Sequence, residues 1–175
     1  MKKKITLVIG GCRSGKSSHA LGLADAIPGN RKIFIATSVP TDPEMENRVT
    51  RHRQERGDLW TTVEEPLEIA DTIDRLSNSS DVILVDCLTL WTSNLMFNNL
   101  EQPAIELSLQ RLASSLDRSH CPVIVVSNEV GTGIVPENAL ARQFRDMAGF
   151  VNQQIAAVAH GVVWMVAGIP VKIKS

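Results

Sequence analysis

"ITLVIGGCRSGKSS", Ile5 to Ser18, joins an apolar run to a glycine-rich turn and then to a helix-forming stretch. The run is rich in β-branched residues and lacks polar alternation, as a strand buried on both faces should. The turn contains G-x-x-x-x-G-K-S from Gly10 to Ser17. Gly10 and Gly15 permit a tight bend in which the backbone N–H groups of Gly11, Cys12, Arg13 and Ser14 converge on phosphate oxygens. The positive end of the next helix points the same way. Lys16 can reach the terminal phosphates of a nucleotide, and the Ser17 hydroxyl can bind magnesium. A chance glycine-rich turn would share these letters, but here strand, loop and helix stand in the order that phosphate binding requires.

The same alternation extends outward from this stretch. "KIFIA", "DVILVD", "PVIVVS" and "VVWMVA" are further runs of buried-strand character. "WTTV" (Trp60 to Val63) adds a short strand, and the closing "VKIK" an edge strand. Helical patterns lie between them, the clearest from about Pro136 to Ala159. There Leu140, Phe144, Met147, Val151, Ile155 and Val158 follow steps of three and four and form one stripe. Pro136 suits the first turn of that helix and Gly161 its end. Repeated strand–helix units predict a mainly parallel sheet with helices on both faces, an α/β P-loop NTPase fold. Without repeats, low-complexity tracts or a linker, residues 1–175 read as a single domain.

Composition narrows the function. The chain has 175 residues, 43% hydrophobic and 21% charged, which fits a globular domain with a substantial core. A net charge of -1 gives no footprint for nucleic acid, so an anionic ligand must be met by a local cluster. Cys12, Cys87 and Cys121 form no C-x-x-C pair and read as small buried residues rather than a zinc site or a disulfide framework. The opening lysines mimic a signal peptide, but the apolar run spans only Ile5 to Ile9 before the glycine turn. No run approaches the length of a membrane span. A soluble, cytoplasmic protein is expected.

Two further features carry chemistry. Asp86 ends the apolar run "DVILVD", where an acidic residue can hold magnesium through water and can also cap the helix that begins "CLTLW". The two roles are compatible, and the phosphate loop upstream favours the metal role. Asp81, at the start of the same run, reads as a turn residue. The stretch "RVTRHRQERG" (Arg48 to Gly57) sets four arginines around His52. It belongs to a helix that Thr41 or Asp42 caps, with Pro43 in its first turn and Gly57 at its end. Met45, Val49 and His52 share one face, so His52 turns toward the protein. Spacing alone favours a partly buried structural histidine. A reactive one would be a neutral imidazole attacking phosphorus, with arginines neutralising the phosphate oxygens.

Taken in order, the motifs resemble one family, the bifunctional adenosylcobinamide kinase/adenosylcobinamide-phosphate guanylyltransferases of cobalamin biosynthesis. "GG-x-RSGKS" (Gly10 to Ser17), "IATS" (Ile35 to Ser38), "R-x-x-x-HR" (Arg48 to Arg53) and "W-x-T-x-E" (Trp60 to Glu64) come first. "DCLTLW-x-x-N" (Asp86 to Asn94), "SNEVG-x-GIVPEN" (Ser127 to Asn138), "AR-x-FRD-x-AG-x-VNQ" (Ala141 to Gln153) and "G-x-x-VKIK" (Gly168 to Lys174) follow. The resemblance implies that ATP or GTP phosphorylates the aminopropanol hydroxyl of adenosylcobinamide. GTP then donates GMP to that phosphate through a guanylylated His52, giving adenosyl-GDP-cobinamide and pyrophosphate. It also implies nucleotide contacts by Thr37, Ser38, Arg53 and Glu64 besides the loop, Mg2+ on Ser17 and Asp86, and a homotrimer.

Glu64 could equally be a surface carboxylate before Pro66. Asn128 and Glu129 should edge the site, with Glu129 either assisting deprotonation of the substrate hydroxyl or bracing its loop. Arg142 and Arg145 could bind substrate phosphate, make a subunit contact or lie on a solvated helix face. Cys12 stands where the family often has alanine, and Gly57 where it commonly has proline. Two other readings stay open: a chain that retains only guanylyl transfer, and a GTP-dependent switch module that binds a partner.

Overall fold

Val, Ile and Leu dominate the runs that become strands, because a strand covered on both faces has no solvated side for polar residues. The computed structural model describes residues 4–39, 59–98 and 101–175. In chain order the elements are β1 (Ile5–Gly10), α1 (Lys16–Asp25), β2 (Lys32–Ala36), β3 (Trp60–Glu64), α2 (Ile69–Leu76) and β4 (Val82–Asp86). Then come α3 (Leu88–Phe97), α4 (Gln102–Arg118), β5 (Val123–Asn128), α5 (Ala139–Val158), β6 (Gly161–Val166) and β7 (Ile169–Lys174). The basic helix anticipated over residues 41–57, with His52, Arg48, Arg51 and Arg53, lies outside the described residues.

The strands form one seven-stranded sheet in the order β3-β2-β4-β5-β1-β6-β7. Every neighbouring pair is parallel except β6 and β7. This is the expected mainly parallel sheet, with "WTTV" as the outer strand β3 and "VKIK" inside the edge strand β7. Strand alternation divides the core in two. Ile5, Leu7, Ile83, Val85, Val123 and Val125 face one way, against apolar residues of α2, α3, α4 and α5. Val8, Val82, Leu84, Ile124 and Val126 face the other way, against Ala20 and Ala24 of α1. Helices thus cover both faces, and α1, which follows the phosphate loop, lies on the second.

A buried lysine pins the far end of α1. Lys32 Nζ donates to the carbonyls of Ala24 (3.2 Å) and Asp25 (3.0 Å), the negative end of the helix dipole. Its charge also meets Asp25 Oδ1 at 3.4 Å, the same atom that accepts from Trp60 Nε1 at 3.1 Å. The Trp60 ring lies 5.9 Å from the ammonium. Lys32 is on β2 and Trp60 on β3, so the helix carrying the phosphate loop is tied to the outer strands by its C-terminus.

The long helix differs from its sequence reading at both ends. It begins at Ala139, not in the turn of Pro136, because Asn138 is the cap: its Oδ1 accepts from the Ala141 N–H at 3.0 Å. It closes at Ala159, and Gly161 instead starts β6. The stripe holds from Met147 onward, where Val151 and Ile155 are core and Val158 packs against it. Leu140 leaves it and is 53% exposed. Ile155→Ala should lower unfolding free energy by about 2–5 kcal/mol, while Leu140→Ala should cost less than about 1 kcal/mol. Urea melts with unchanged slope would check both; equal losses would contradict this packing.

Candidate active site

The carboxyl ends of the parallel strands open onto one edge of the sheet, where ligands of such sheets bind. The loop from Gly11 to Gly15 leaves β1 there. Gly10 admits no side chain: a Cβ would meet the Met165 carbonyl oxygen at 2.8 Å. Gly15, immediately before α1, takes φ 86°, a left-handed conformation that favours glycine. Arg13 is also left-handed, at φ 54°. The loop is gripped from two sides. Gly168 N–H donates to the Ser14 carbonyl (3.1 Å), and Glu129 N–H donates to the Gly10 carbonyl (3.0 Å). Gly168 belongs to the β6–β7 turn, where Ala167 (φ 51°) and Gly168 (φ 82°) are both left-handed, as a two-residue hairpin favours.

Within this frame Lys16 folds back, its Nζ donating to the Gly11 carbonyl at 3.1 Å. Ser14 Oγ is buried and has no partner among the described residues. Such a hydroxyl lacks an acceptor that a phosphate oxygen would supply. The arrangement therefore fits an anion by both backbone and side chain. Cys12, expected to be buried, is exposed on the loop, whereas Cys87 and Cys121 are buried as anticipated. A residue in a phosphate-binding turn has its backbone turned inward, which leaves its side chain outside.

Asp86 closes β4, and Cys87, not Asp86, is the N-cap of α3; the capping alternative therefore falls. Strand alternation puts Asp86 on the side of Val82 and Leu84, the side covered by α1. Ser17 is the second residue of α1, so hydroxyl and carboxylate share one face of the sheet. Among the described residues no three His, Cys, Asp or Glu side chains gather. One hydroxyl and one carboxylate form the sparse donor set that magnesium uses when nucleotide phosphates and water supply the rest. The pair fits that ion. Cys87 beside it is no nucleophile: burial, and then the charge of Asp86, push its thiol up to about 11.

The remaining expected contacts divide into facing and bracing groups. Glu64 ends β3 and is exposed, and Ser38 is half-buried just beyond β2. Thr37 is fully buried. Its Oγ1 donates to the Cys87 carbonyl and accepts from the Cys87 N–H, both at 2.8 Å. Its own N–H donates to the Asp86 carbonyl at 3.1 Å, so Thr37 joins the ends of β2 and β4. Glu129 braces its loop, Oε1 accepting from the Gly131 N–H at 2.6 Å. Arg145 donates to the Gly131 carbonyl (2.7 Å), and Arg142 to those of Pro136 (3.0 Å) and Glu137 (2.5 Å). Both arginines hold the 131–137 loop.

Sequence reasoning missed another set of braces. Asn128, the last residue of β5, is held by both backbone groups: its N–H donates to Thr89 Oγ1 (2.7 Å), and its carbonyl accepts from Asn152 Nδ2 (3.1 Å). Asn94 donates from one amide nitrogen to the carbonyls of Thr37 (2.8 Å) and Pro66 (3.1 Å). The signal available was polar residues inside apolar helices. Thr89 and Asn94 interrupt "LTLWTSNLMF", and Asn152 is buried inside α5.

The family model of the cobinamide kinase / cobinamide phosphate guanyltransferases matches residues 6–173, which takes in every element of this site. The chain belongs to this family. It is accordingly an enzyme, a kinase and guanylyltransferase on a P-loop nucleotide-binding fold. The bifunctional adenosylcobalamin biosynthesis protein CobU of Escherichia coli (strain K12) is 42% identical over 180 residues, covering 96% of this chain and 98% of that protein. CobU of Salmonella typhimurium is 43% identical over 180 residues, with the same shares, 96% and 98%. In fold alone, the flagellar accessory protein FlaH from Methanocaldococcus jannaschii is similar, with a TM-score of 0.55, 11% identity, and coverage of 98% of this chain and 78% of that one.

The loop geometry makes Cys12 a reporter of occupancy. At pH 8 a thiol reagent should modify Cys12 first, because burial raises the other two thiols and keeps them protonated and covered. Saturating nucleotide with magnesium should slow that reaction; equal rates with and without nucleotide would place the phosphates elsewhere.

Proposed function

We propose that the chain acts as a single domain, residues 1–175, whose one nucleotide pocket serves two successive reactions on a corrinoid. In the first, the aminopropanol hydroxyl of adenosylcobinamide attacks the γ-phosphorus of ATP or GTP, and the bond to the bridging oxygen breaks, releasing the nucleoside diphosphate. In the second, an imidazole nitrogen of His52 attacks the α-phosphorus of GTP, a P–N bond forms and pyrophosphate leaves. An oxygen of adenosylcobinamide phosphate then attacks that phosphorus, the P–N bond breaks, and adenosyl-GDP-cobinamide departs with His52 restored. What carries this reading is the family match across residues 6–173, joined to a loop already shaped for phosphate.

Each described residue has a part in that scheme. The N–H groups from Gly11 to Gly15 and the N-terminus of α1 hold phosphate oxygens, and Lys16 turns from the Gly11 carbonyl to the terminal phosphates. Ser17 and Asp86 would hold Mg2+, which when bound neutralises charge on the phosphate oxygens. Ser38 and Glu64 approach the nucleoside from the ends of β2 and β3. His52 and Arg53 lie outside the described residues and enter by sequence position and resemblance. Nearby arginines favour a neutral imidazole, the form that can attack phosphorus.

The same reading places the enzyme in the cytoplasm as a homotrimer with sites between subunits. Among the described residues no helix is long and apolar enough to cross a membrane. Exposed Trp164, Val166, Ile169, Val171 and Ile173 on the β6–β7 hairpin offer apolar surface for contact between copies. Incubation with GTP labelled at the α-phosphate should leave an acid-labile, base-stable label on the protein, absent in His52→Ala. Label persisting in that variant would remove His52 from the mechanism.

A further inference from the structure

The braces fall into two groups that meet on α3, which carries both Thr89 and Asn94. One holds the phosphate half of the site: Glu129 N–H on the Gly10 carbonyl, Gly168 N–H on the Ser14 carbonyl, and Thr89 with Asn152 on Asn128. The other holds the ends of β2, β3 and β4, and its centre is Asn94. This side chain sits on α3, the helix that starts two residues after Asp86. One nitrogen offers two hydrogens, and they go to two different loops: the Thr37 carbonyl after β2 at 2.8 Å and the Pro66 carbonyl after β3 at 3.1 Å.

Thr37 is in turn fixed to the Asp86 carbonyl and to both backbone groups of Cys87. Asn94 therefore completes a chain of bonds that holds three strand ends as one unit. Ser38, Glu64 and Asp86 stand at or just beyond the ends of those strands. None of the named bonds, Asn94 to Thr37 and Pro66 or Thr37 to Asp86 and Cys87, reaches the phosphate loop.

Resting on the function proposed above, we propose that Asn94 is a positioning residue for guanylyl transfer. It sets the nucleoside side of the pocket, and through it the placement of the α-phosphorus, while leaving the phosphate loop to its own braces. A carboxamide suits the task because it delivers two donors from one atom without charge, so both carbonyls are satisfied and no ion is buried between them. Asparagine reads as an unremarkable polar residue on such a helix, which is why the sequence alone gives it no role.

Asn94→Asp keeps the shape and removes the donors: the carboxylate faces two carbonyl oxygens and repels both. At saturating GTP this variant should form the GMP adduct at least about tenfold more slowly, since a misplaced reacting atom slows the chemistry more than it weakens binding. Phosphoryl transfer from ATP to adenosylcobinamide should fall by a clearly smaller factor, because the loop that holds the phosphates keeps its own bonds at Gly10 and Ser14, although Asp86 shares the disturbed unit. Lowering the pH should restore part of the loss in Asn94→Asp relative to wild type. A carboxylate desolvated among carbonyls has a raised pKa, and its protonated form regains one donor.

Asn94→Ala, which removes the donors without adding charge, gives the same comparison should the aspartate variant not fold. Both activities falling in equal proportion, or neither falling, would overturn the positioning role. Wild-type enzyme that forms no GMP adduct would instead sink the functional reading on which it rests. A wild-type adduct with an unchanged ratio in the variants sinks only the proposal for Asn94.

Discussion

A phosphate-binding turn must hold its N–H groups inward, with no regular ladder of its own to keep them there. In this chain that constraint falls on Gly10 to Lys16. Gly10 has no room for a side chain beside the Met165 carbonyl, and Gly15 adopts a left-handed backbone. The turn is then fastened by neighbours far away in sequence: Gly168 at Ser14 and Glu129 at Gly10. Strands β5 and β6 flank β1, and the segments that follow them reach the turn. The sheet order is thus part of the site.

The remainder of the active-site edge is built on a different principle. There the strand ends are joined by side chains that bond to backbone: Thr37 to Asp86 and Cys87, Asn94 to Thr37 and Pro66. Strand ends beyond the last ladder bond carry polar groups that must be satisfied, and a buried hydroxyl or amide does this without a further strand. The result leaves the strand ends that carry Ser38, Glu64 and Asp86 on a common frame, which meets the bracing of the phosphate loop on α3. An enzyme that performs chemistry at both the γ- and α-phosphorus of a nucleotide has reason to fix both halves.

Sequence reasoning reached the fold because its signals are local. Buried parallel strands read as apolar runs, and the phosphate loop names its own neighbours, a strand before and a helix after. Even the edge strand β7 was legible from "VKIK". Failures came where a long-range partner decides the outcome. Leu140 fits a helical stripe, yet it lies about two turns before Met147, where the stripe first meets the core. For Arg142 and Arg145 the sequence left phosphate binding, a subunit contact and a solvated face open, and offered no sign of the loop carbonyls that stand beside them. Thr37 gave no sign that its hydroxyl would bond the backbone of Cys87, fifty residues away in sequence. Lys32 gave no hint of burial, because the helix end and the indole that receive it come from two other elements.

The central claim is that one pocket carries out both reactions in order, and a single product assay addresses it. Purified enzyme would be given adenosylcobinamide, GTP and magnesium, and the corrinoids separated and weighed by mass spectrometry over time. The account predicts adenosylcobinamide phosphate first and adenosyl-GDP-cobinamide after it, with pyrophosphate released in step with the second product. Untouched adenosylcobinamide, alongside conversion of supplied adenosylcobinamide phosphate, would contradict it by leaving only the guanylyl transfer.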